Sequence, residues 1–107
     1  MDRNVLLALS AAQQAADDAA LTVEDPTRAG VLFGTAIGGF HTMMEQHEIL
    51  RDRGWDRVAP WFLPQCLPDV ASGAIAIQLG LRGHNLAPIS ACCAPILACS
   101  APSAACC

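Results

Sequence analysis

The feature that most constrains the fold is a long amphipathic helix pattern followed closely by a short, unbroken apolar run. Helix-forming residues dominate positions 2–20, where apolar side chains recur at three- and four-residue spacing. Within positions 29–35, the residues from Val31 to Phe33 are continuously apolar and Gly34 closes the run, as in a strand buried on both faces. A helix followed by such a strand predicts an α/β layered fold rather than a helical bundle.

Capping and proline signals predict a second helix and the loop behind it. Thr42 and Glu45 have the spacing of a capping box, which predicts a helix that starts there and continues to about Arg53. Gly54 is a typical residue at the end of such a helix. Positions 55–68 contain three prolines and an aromatic stretch, so we expect a rigid apolar loop that covers the core or a partner surface.

The last predicted elements lead to a pair of cysteines. Pro68-Asp69 suits the start of a third helix, which the apolar residues of positions 70–79 continue and Gly80 ends. Positions 86–90 predict a second short buried strand, and this strand leads directly into Cys92 and Cys93. Five of the six cysteines lie in the last sixteen residues, so the chain divides into an ordinary first part and a cysteine-rich end.

Charge excludes several classes of partner. All six basic residues are scattered arginines, and the net charge is −4, so no basic face is available to bind nucleic acid. Residues 86–107 carry no charge, but three prolines interrupt them, so we expect no membrane-spanning helix. Asp2 and Arg3 at the N-terminus do not fit a signal peptide, so we expect a cytoplasmic protein with reduced thiols.

Three glycines after the first strand allow two interpretations. Gly34, Gly38 and Gly39 would let the turn cradle a phosphate, but the spacing matches no nucleotide-binding motif and the chain contains no lysine. We therefore expect close packing of this turn instead. For the histidines and glutamates of the second helix we expect a solvated face rather than a metal site. These residues are His41, Glu45, His47 and Glu48.

Cys92 carries the clearest chemical prediction. In the sequence, a small residue and then Cys92 directly follow the predicted strand. An acyl-transfer nucleophile needs this arrangement, because a sharp strand-to-helix turn exposes its side chain. Backbone N–H groups in the first helical turn would stabilise a thiolate and, later, the oxyanion of a tetrahedral intermediate. From the residues alone, the alternative is a buried structural cysteine.

Several linked runs of sequence resemble those of a known enzyme family. The run GVLFGTAIGG at 30–39 matches a strand and glycine-rich turn of that family. The run RVAPWFLP at 57–64 matches its Arg-x-x-Pro-Phe-Phe-x-Pro loop. The segment that leads into an active-site cysteine is matched by LGLRGHNLAPISAC at 79–92. By these runs the chain, from about Asp2 to Cys93, resembles the β-ketoacyl-acyl carrier protein synthases, type II elongating condensing enzymes of the thiolase-like superfamily.

The resemblance implies a fold, a reaction and partners. The fold would be part of the N-terminal half of a layered α/β/α/β/α ketosynthase, in a family that forms homodimers and for which we expect no cofactor. Cys92 matches the nucleophile that takes the acyl chain from acyl carrier protein as a thioester, and its N–H matches one arm of the oxyanion hole. Leu67 matches an acyl-tunnel residue near the dimer partner, with plain core packing as its alternative. Phe62 would line the same region.

The resemblance also points to groups that these residues do not provide. In the family, decarboxylation of the malonyl thioester and condensation need two histidines and a lysine from a C-terminal half. His41, His47 and His84 match neither histidine, so complete condensation is not expected of this chain. We interpret residues 1–93 as a partial synthase domain and 94–107, rich in Ala, Pro, Ser and Cys, as a low-complexity tail from a truncated or frame-shifted reading frame.

Two other functions stay open at this point. A thiol-rich module could bind a soft metal such as Zn²⁺ or Cu(I), with ligands from the five cysteines Cys92, Cys93, Cys99, Cys106 and Cys107. A non-catalytic domain could instead dock on a full-length synthase through the aromatic loop around Trp61 and Phe62. Because the chain would be only part of a layered fold, its apolar strand faces and edges should be exposed to solvent. We therefore expect poor solubility or oligomers.

Overall fold

A computed structural model describes residues 1–100 of the chain and contains helices with one small sheet. The helices of this part are α1 (Arg3–Asp18), α2 (Phe40–Arg53), α3 (Phe62–Cys66), α4 (Val70–Leu79) and α5 (Ala94–Ser100). Its strands are β1 (Val31–Leu32) and β2 (Asn85–Leu86). Short 3₁₀ turns lie at Pro26–Arg28, Trp55–Arg57 and Ala91–Cys93. The mixture of helices with a small sheet agrees with the predicted α/β class.

The two strands run parallel, so their carboxyl ends lie at the same edge of the sheet. The register is given by the pairs Val31–Asn85, Leu32–Leu86 and, as an isolated bridge, Thr35–Ile89. The N–H groups of residues 31, 33 and 35 donate to the carbonyls of residues 84, 86 and 88 over 2.8 to 3.2 Å. Pro88 has no N–H group to donate in return, which interrupts the ladder before the bridge.

The core lies between α1, α4 and the sheet. Its buried cluster consists of Val5, Ala8, Val31, Ala71, Ile75 and Leu81. The two alanines let the helices approach closely, and the four larger aliphatic side chains fill the space between the layers. Burial of each larger side chain contributes about 1.5–3 kcal/mol relative to leaving it exposed. Val31 is the strand residue in this cluster, so the core anchors β1 against α1 and α4.

Two of the predicted helices are confirmed closely. The pattern over 2–20 corresponds to α1, and the helix predicted to start at Pro68-Asp69 and to run to Leu79 corresponds to α4, which begins at Val70 after the N-cap Asp69. Gly80 ends α4 in the left-handed conformation, with φ 68°, which glycine adopts without steric cost. Apolar periodicity was the signal for α1, whereas a start signal at Pro68-Asp69 and the terminal glycine were the signals for α4.

Asp2 joins the first two helices, and this link corrects one prediction. The Asp2 side chain accepts a hydrogen bond from the backbone N–H of Asn4 (2.9 Å) as the N-cap of α1. Its other oxygen accepts one from the N–H of Thr42 (2.9 Å), in the first turn of α2. The predicted capping box of Thr42 and Glu45 is therefore wrong. Helix α2 begins at Phe40 without a local side-chain cap, because a distant carboxylate satisfies one of its free N–H groups.

Two further predictions need correction. The loop expected over 55–68 contains the one-turn helix α3, which accommodates Pro64 at its third residue, where a helix makes no use of the N–H. The second strand is not buried as predicted, since more than half of the surface of Leu86 and of Ile89 is accessible. Burial of this strand would need another layer, and residues 1–100 place none over it.

Bare apolar surface is a general property of the chain, as expected. Exposed apolar side chains lie on α1, at β2 and on α5. They include Leu6, Leu7, Leu86, Ile89, Ile96 and Leu97.

The segment predicted as a tail, residues 94–107, lies only partly within the described residues. Its first seven residues form α5, with Ala94 and Ala98 buried. Within residues 1–100, no helix combines the length and the apolar character that crossing a membrane requires.

Candidate functional site

The candidate site lies where both strands of the sheet end. After β1 the chain enters a turn from Gly34 to Gly39, here called the glycine turn, and after β2 it reaches a turn from Ser90 to Cys93, here called the Cys92 turn. The carboxyl edge of a parallel sheet is a common location for functional sites, because loops from neighbouring strands meet there. The predicted nucleophile lies in the second of these turns.

The Cys92 turn redirects the chain from an extended to a helical path within a few residues. Ser90 has φ −149° and ψ 45°, and Ala91 has a left-handed backbone with φ 47°, which costs an alanine about 1–2 kcal/mol. The N–H of Cys93 donates to the carbonyl of Ser90 (3.0 Å), and α5 begins at the next residue. Cys92 is exposed, so it is not the buried structural cysteine of the alternative interpretation.

The glycine turn packs directly against the start of α5. A Cβ on Gly34 would overlap the carbonyl oxygen of Ala94, and it would lie 2.6 Å from the carbonyl carbon of Ala94 and 3.0 Å from the nitrogen of Pro95. Carbon atoms ordinarily approach one another only to about 3.5–4.0 Å. Position 34 therefore admits no side chain unless α5 moves, and the predicted close packing of this turn is confirmed here.

The other end of the glycine turn packs against residues 65–68. Gly38 has φ 87°, and a Cβ at that position would lie 2.9 Å from the Cα of Pro68. The N–H of Gly39 donates to the carbonyl of Cys66 (3.1 Å). Because Leu67 belongs to this segment, one turn connects the backbone beside Cys92 with the backbone beside Leu67.

The predicted acyl-tunnel residues lie at the surface of this chain. Leu67 directly follows α3 and is 48% exposed, so it does not belong to the core. Phe62, the first residue of α3, is partly buried. The neighbouring Trp61 is 71% exposed. These side chains form part of an apolar surface that residues 1–100 leave uncovered.

Ser90 adds a polar group that the sequence pattern did not indicate. Its Oγ is shielded from solvent and has no hydrogen-bond partner within the described residues. A buried hydroxyl without a partner costs about 1–3 kcal/mol. The only signal for it in the sequence is its position two residues before Cys92, and position alone does not predict burial.

The candidate metal ligands are dispersed. His41 and Glu45 lie 3.6 Å apart on α2, and both side chains are mostly exposed, as predicted for a solvated helix face. Cys99 is also exposed. Among residues 1–100, no three histidine, cysteine or acidic side chains come together in a group that could hold a metal ion. Cys106 and Cys107, which the metal-binding alternative also used, lie outside the described residues.

Hydrogen bonds and a nearby histidine outweigh the effect of burial on the pKa of the Asp2 carboxyl. Burial raises the pKa of this carboxyl, but the N–H groups of Asn4 and Thr42, the Thr42 hydroxyl and the nearby His41 together lower the pKa below its usual value. The sequence analysis missed this role. An aspartate directly before a helical pattern is a usual N-cap signal, whereas nothing in the sequence indicates a partner 40 residues away.

Known proteins match the chain over most of its length. A family model described as the N-terminal domain of β-ketoacyl synthase matches residues 1–103. A 3-oxoacyl-(acyl-carrier-protein) synthase 2 from Staphylococcus aureus is 44% identical over 94 residues, which are 86% of this chain and 23% of that protein. A synthase of the same name from Synechocystis is 41% identical over 96 residues, which are 88% of this chain and 23% of that protein. The chain thus spans about a quarter of the length of these curated relatives.

Proposed function

The chain belongs to the β-ketoacyl synthase family, whose N-terminal domain it matches, and on this basis we propose that Cys92 accepts an acyl group from an acyl carrier protein as a thioester. The single observation that carries the proposal is an exposed thiol at a strand-to-helix turn. The names of both relatives include acyl carrier protein, which supports this carrier as the donor. We place the transfer in cytoplasmic fatty-acid or polyketide biosynthesis.

The proposed step exchanges one thioester for another. The thiolate sulfur of Cys92 attacks the carbonyl carbon of the carrier-bound acyl group and forms a tetrahedral intermediate. The bond to the carrier sulfur then breaks, and the released carrier thiolate takes up the proton that Cys92 has lost. The N–H of Cys92 is the proposed donor to the oxyanion of the intermediate. Because a thioester replaces a thioester, the step requires no cofactor.

We propose that the acyl chain lies along Leu67 and Phe62. The glycine turn contacts the backbone of α5 at one end and the backbone beside Leu67 at the other, so these contacts fix both segments relative to each other. The exposure of Leu67 supports a role in binding an apolar ligand or a homodimer partner, because a core residue would be covered by its own chain.

We further propose that the two-stranded sheet is part of a layered thiolase-like fold. The bare face of β2 and the hydroxyl of Ser90, which has no partner within residues 1–100, support this proposal. Additional layers would cover the strand and could supply a hydrogen bond to the serine. By the family resemblance, condensation needs two histidines and a lysine that these 107 residues do not supply, so we expect acyl uptake without condensation.

Intact-mass spectrometry tests the proposed transfer. The purified chain, incubated with an acyl-loaded carrier protein, should gain the mass of one acyl group and lose it again in hydroxylamine, which cleaves thioesters. Cys92→Ala should not gain this mass, whereas Cys99→Ala, which removes another exposed thiol, should gain it normally. Acylation of Cys92→Ala to the level of the parent chain would overturn the proposal. With malonyl-loaded carrier present, no 3-oxoacyl product should form.

A second candidate function is docking on a full-length synthase without catalysis. The observation in its favour is the exposure of Trp55 and Trp61, which lie on either side of the segment that leads into α3. Large exposed aromatic side chains are typical anchors of protein interfaces. Capture of a purified full-length synthase at low concentration, lost in Trp61→Ala and kept in Cys92→Ala, would favour docking over acyl transfer.

A further inference from the structure

Cys92 and Cys93 place two accessible thiols side by side at the turn. Both are exposed and both are free in the structure. The proposed acyl transfer uses only the first of them, so Cys93 has no assigned role. A pair of neighbouring thiols has chemistry that a single thiol lacks, because one thiol can react with the oxidised form of the other.

The other described cysteines are poor partners for Cys92. Cys66 is buried, and its thiol donates to the carbonyl of Leu63 with Sγ and O 3.4 Å apart. Cys99 lies seven residues further along a helical path, which at about 1.5 Å per residue corresponds to about 10 Å. A disulfide requires the two Cα atoms to lie within about 7 Å. Within residues 1–100, Cys93 is therefore the thiol best placed to react with an oxidised Cys92.

We propose that Cys92 and Cys93 form an oxidisable dithiol site, at which a peroxide oxidises Cys92 and Cys93 converts the product into a disulfide between neighbouring residues. The thiolate of Cys92 attacks one oxygen of hydrogen peroxide, the O–O bond breaks, and a sulfenic acid and hydroxide form. The thiolate of Cys93 then attacks the sulfenic sulfur, the S–O bond breaks and a second hydroxide leaves. With the two thiol protons counted, two thiols and one peroxide give one disulfide and two waters.

A disulfide between these neighbours is strained and therefore easily reduced. Neighbouring Cα atoms across a trans peptide are about 3.8 Å apart, which is shorter than the range of about 4.4–6.8 Å that disulfides usually span. Strained, exposed disulfides are reduced more readily than structural ones. The pair thus fits reversible oxidation rather than a permanent cross-link.

Oxidation of this pair would stop acyl transfer, because the sulfur of Cys92 would no longer be a free nucleophile. This consequence rests on the proposed function of Cys92. The dithiol site itself rests only on the two exposed thiols and on the distance to Cys99.

Peroxide treatment of the full chain, followed by peptide mapping, tests the proposal. The chain contains no lysine and its last arginine is Arg82, so trypsin would leave all five later cysteines in one peptide. A protease that cleaves before Leu97 separates Cys99 from the pair. The peptide that contains Cys92 and Cys93 should lose about 2 Da, the mass of two hydrogen atoms. Mild reduction should restore both the mass and labelling by iodoacetamide.

Two variants separate this reaction from other oxidations. Cys93→Ala should shift the product from a reversible disulfide to a sulfinic acid at Cys92, whereas Cys99→Ala should leave the disulfide unchanged. A disulfide from Cys92 to Cys99, Cys106 or Cys107 in the parent chain would overturn the proposal, as would equal sulfinic acid in the parent and in Cys93→Ala. No acyl donor is present in these measurements, so failed acyl transfer and failed disulfide formation are distinguishable results.

Discussion

Gly34 lies so close to Ala94 that a methyl group at position 34 would overlap the backbone of the first residue of α5. The two residues belong to segments that follow different strands, β1 and β2, so the contact joins the two strand ends. All three of the nearest atoms belong to the backbone, which cannot move aside as a flexible side chain can. The position of the Cys92 turn therefore depends on the absence of a side chain at position 34.

We predict that Gly34→Ala destabilises the chain and reduces acyl uptake at Cys92. Forcing a methyl group into a packed site typically costs about 1–3 kcal/mol, and relief of the overlap would displace α5 together with the turn before it. Urea denaturation and the rate of acylation measure the two effects.

Gly73→Ala is the matched control for this substitution. Gly73 lies within α4, and the nearest atom to an added Cβ is the Asn85 Nδ2 at 3.8 Å, an ordinary contact. Alanine is the better helix former by about 1 kcal/mol, so this variant should be as stable as the parent or more stable. Equal stability and equal acylation of the two variants would show that the contact with Ala94 does not hold the turn.

Two isoleucines on the same helix should contribute very differently to stability. Ile75 is 3% exposed in the core, whereas Ile77 is 85% exposed. Ile75→Ala should lower the free energy of unfolding by about 2–5 kcal/mol because it leaves a cavity. Ile77→Ala should change it by less than about 0.5 kcal/mol. Similar losses of unfolding free energy in both variants, measured by chemical denaturation, would mean that α4 does not bury the face that carries Ile75.

The link from Asp2 to Thr42 predicts a loss of stability in acid. Because the folded pKa of Asp2 is lowered, its ionised form stabilises the fold above the unfolded pKa, near pH 4. This contribution disappears as the pH falls through the lower folded value. Asp2→Ala should cost about 0.5–2 kcal/mol at neutral pH, the usual value for a lost N-cap.

Asp2→Ala should also lose less stability in acid than the parent chain does. Stability measured between neutral pH and pH 3 in both chains provides the comparison. Asp18→Ala, which removes an exposed aspartate at the other end of α1 and keeps the Asp2 cap, controls for the loss of one carboxylate. An identical acid dependence in the parent and in Asp2→Ala would contradict the capping role of Asp2.

Self-association is the expected behaviour of the chain in solution. Leu86 and Ile89 present exposed apolar side chains at the sheet, and such strands tend to associate with other chains. Leu86→Lys combined with Ile89→Lys should shift the chain towards monomer in light scattering across a concentration series, more than Ile77→Lys on α4 does. A monodisperse parent monomer that unfolds cooperatively would show that these surfaces do not drive association.

Local patterns were sufficient to predict much of the fold. Apolar periodicity predicted α1, and Pro68-Asp69 and Gly80 indicated the start and the end of α4. These features depend on residues that are close together in the sequence, so periodicity and turn chemistry are enough to determine them. For Cys92 the order of strand, small residue and cysteine left a buried structural cysteine open as the alternative, and the family resemblance is what favoured an accessible nucleophile.

Features that depend on distant residues could not be predicted in the same way. Thr42 and Glu45 match a capping box, but the N–H of Thr42 donates to the carboxylate of Asp2, which is the N-cap of α1. The strand at Leu86 is apolar, yet its burial depends on layers that residues 1–100 do not contain. The shielded hydroxyl of Ser90 is a third example, since tertiary packing alone determines whether it meets a partner.

The turn, rather than thiol reactivity in general, is what should make Cys92 the acyl acceptor. Cys99 is the internal control, because it is also exposed and lies only seven residues further on. The most direct test is the ratio of acylation rates at Cys92 and Cys99, obtained by peptide mapping with one acyl-thioester donor in native buffer and in denaturant.

In the native chain we predict that Cys92 is acylated at least about tenfold faster than Cys99, which corresponds to about 1.4 kcal/mol in activation free energy. In denaturant, where the turn is lost, the two rates should become similar. Equal rates at Cys92 and Cys99 in the native chain would contradict the proposed role of the turn.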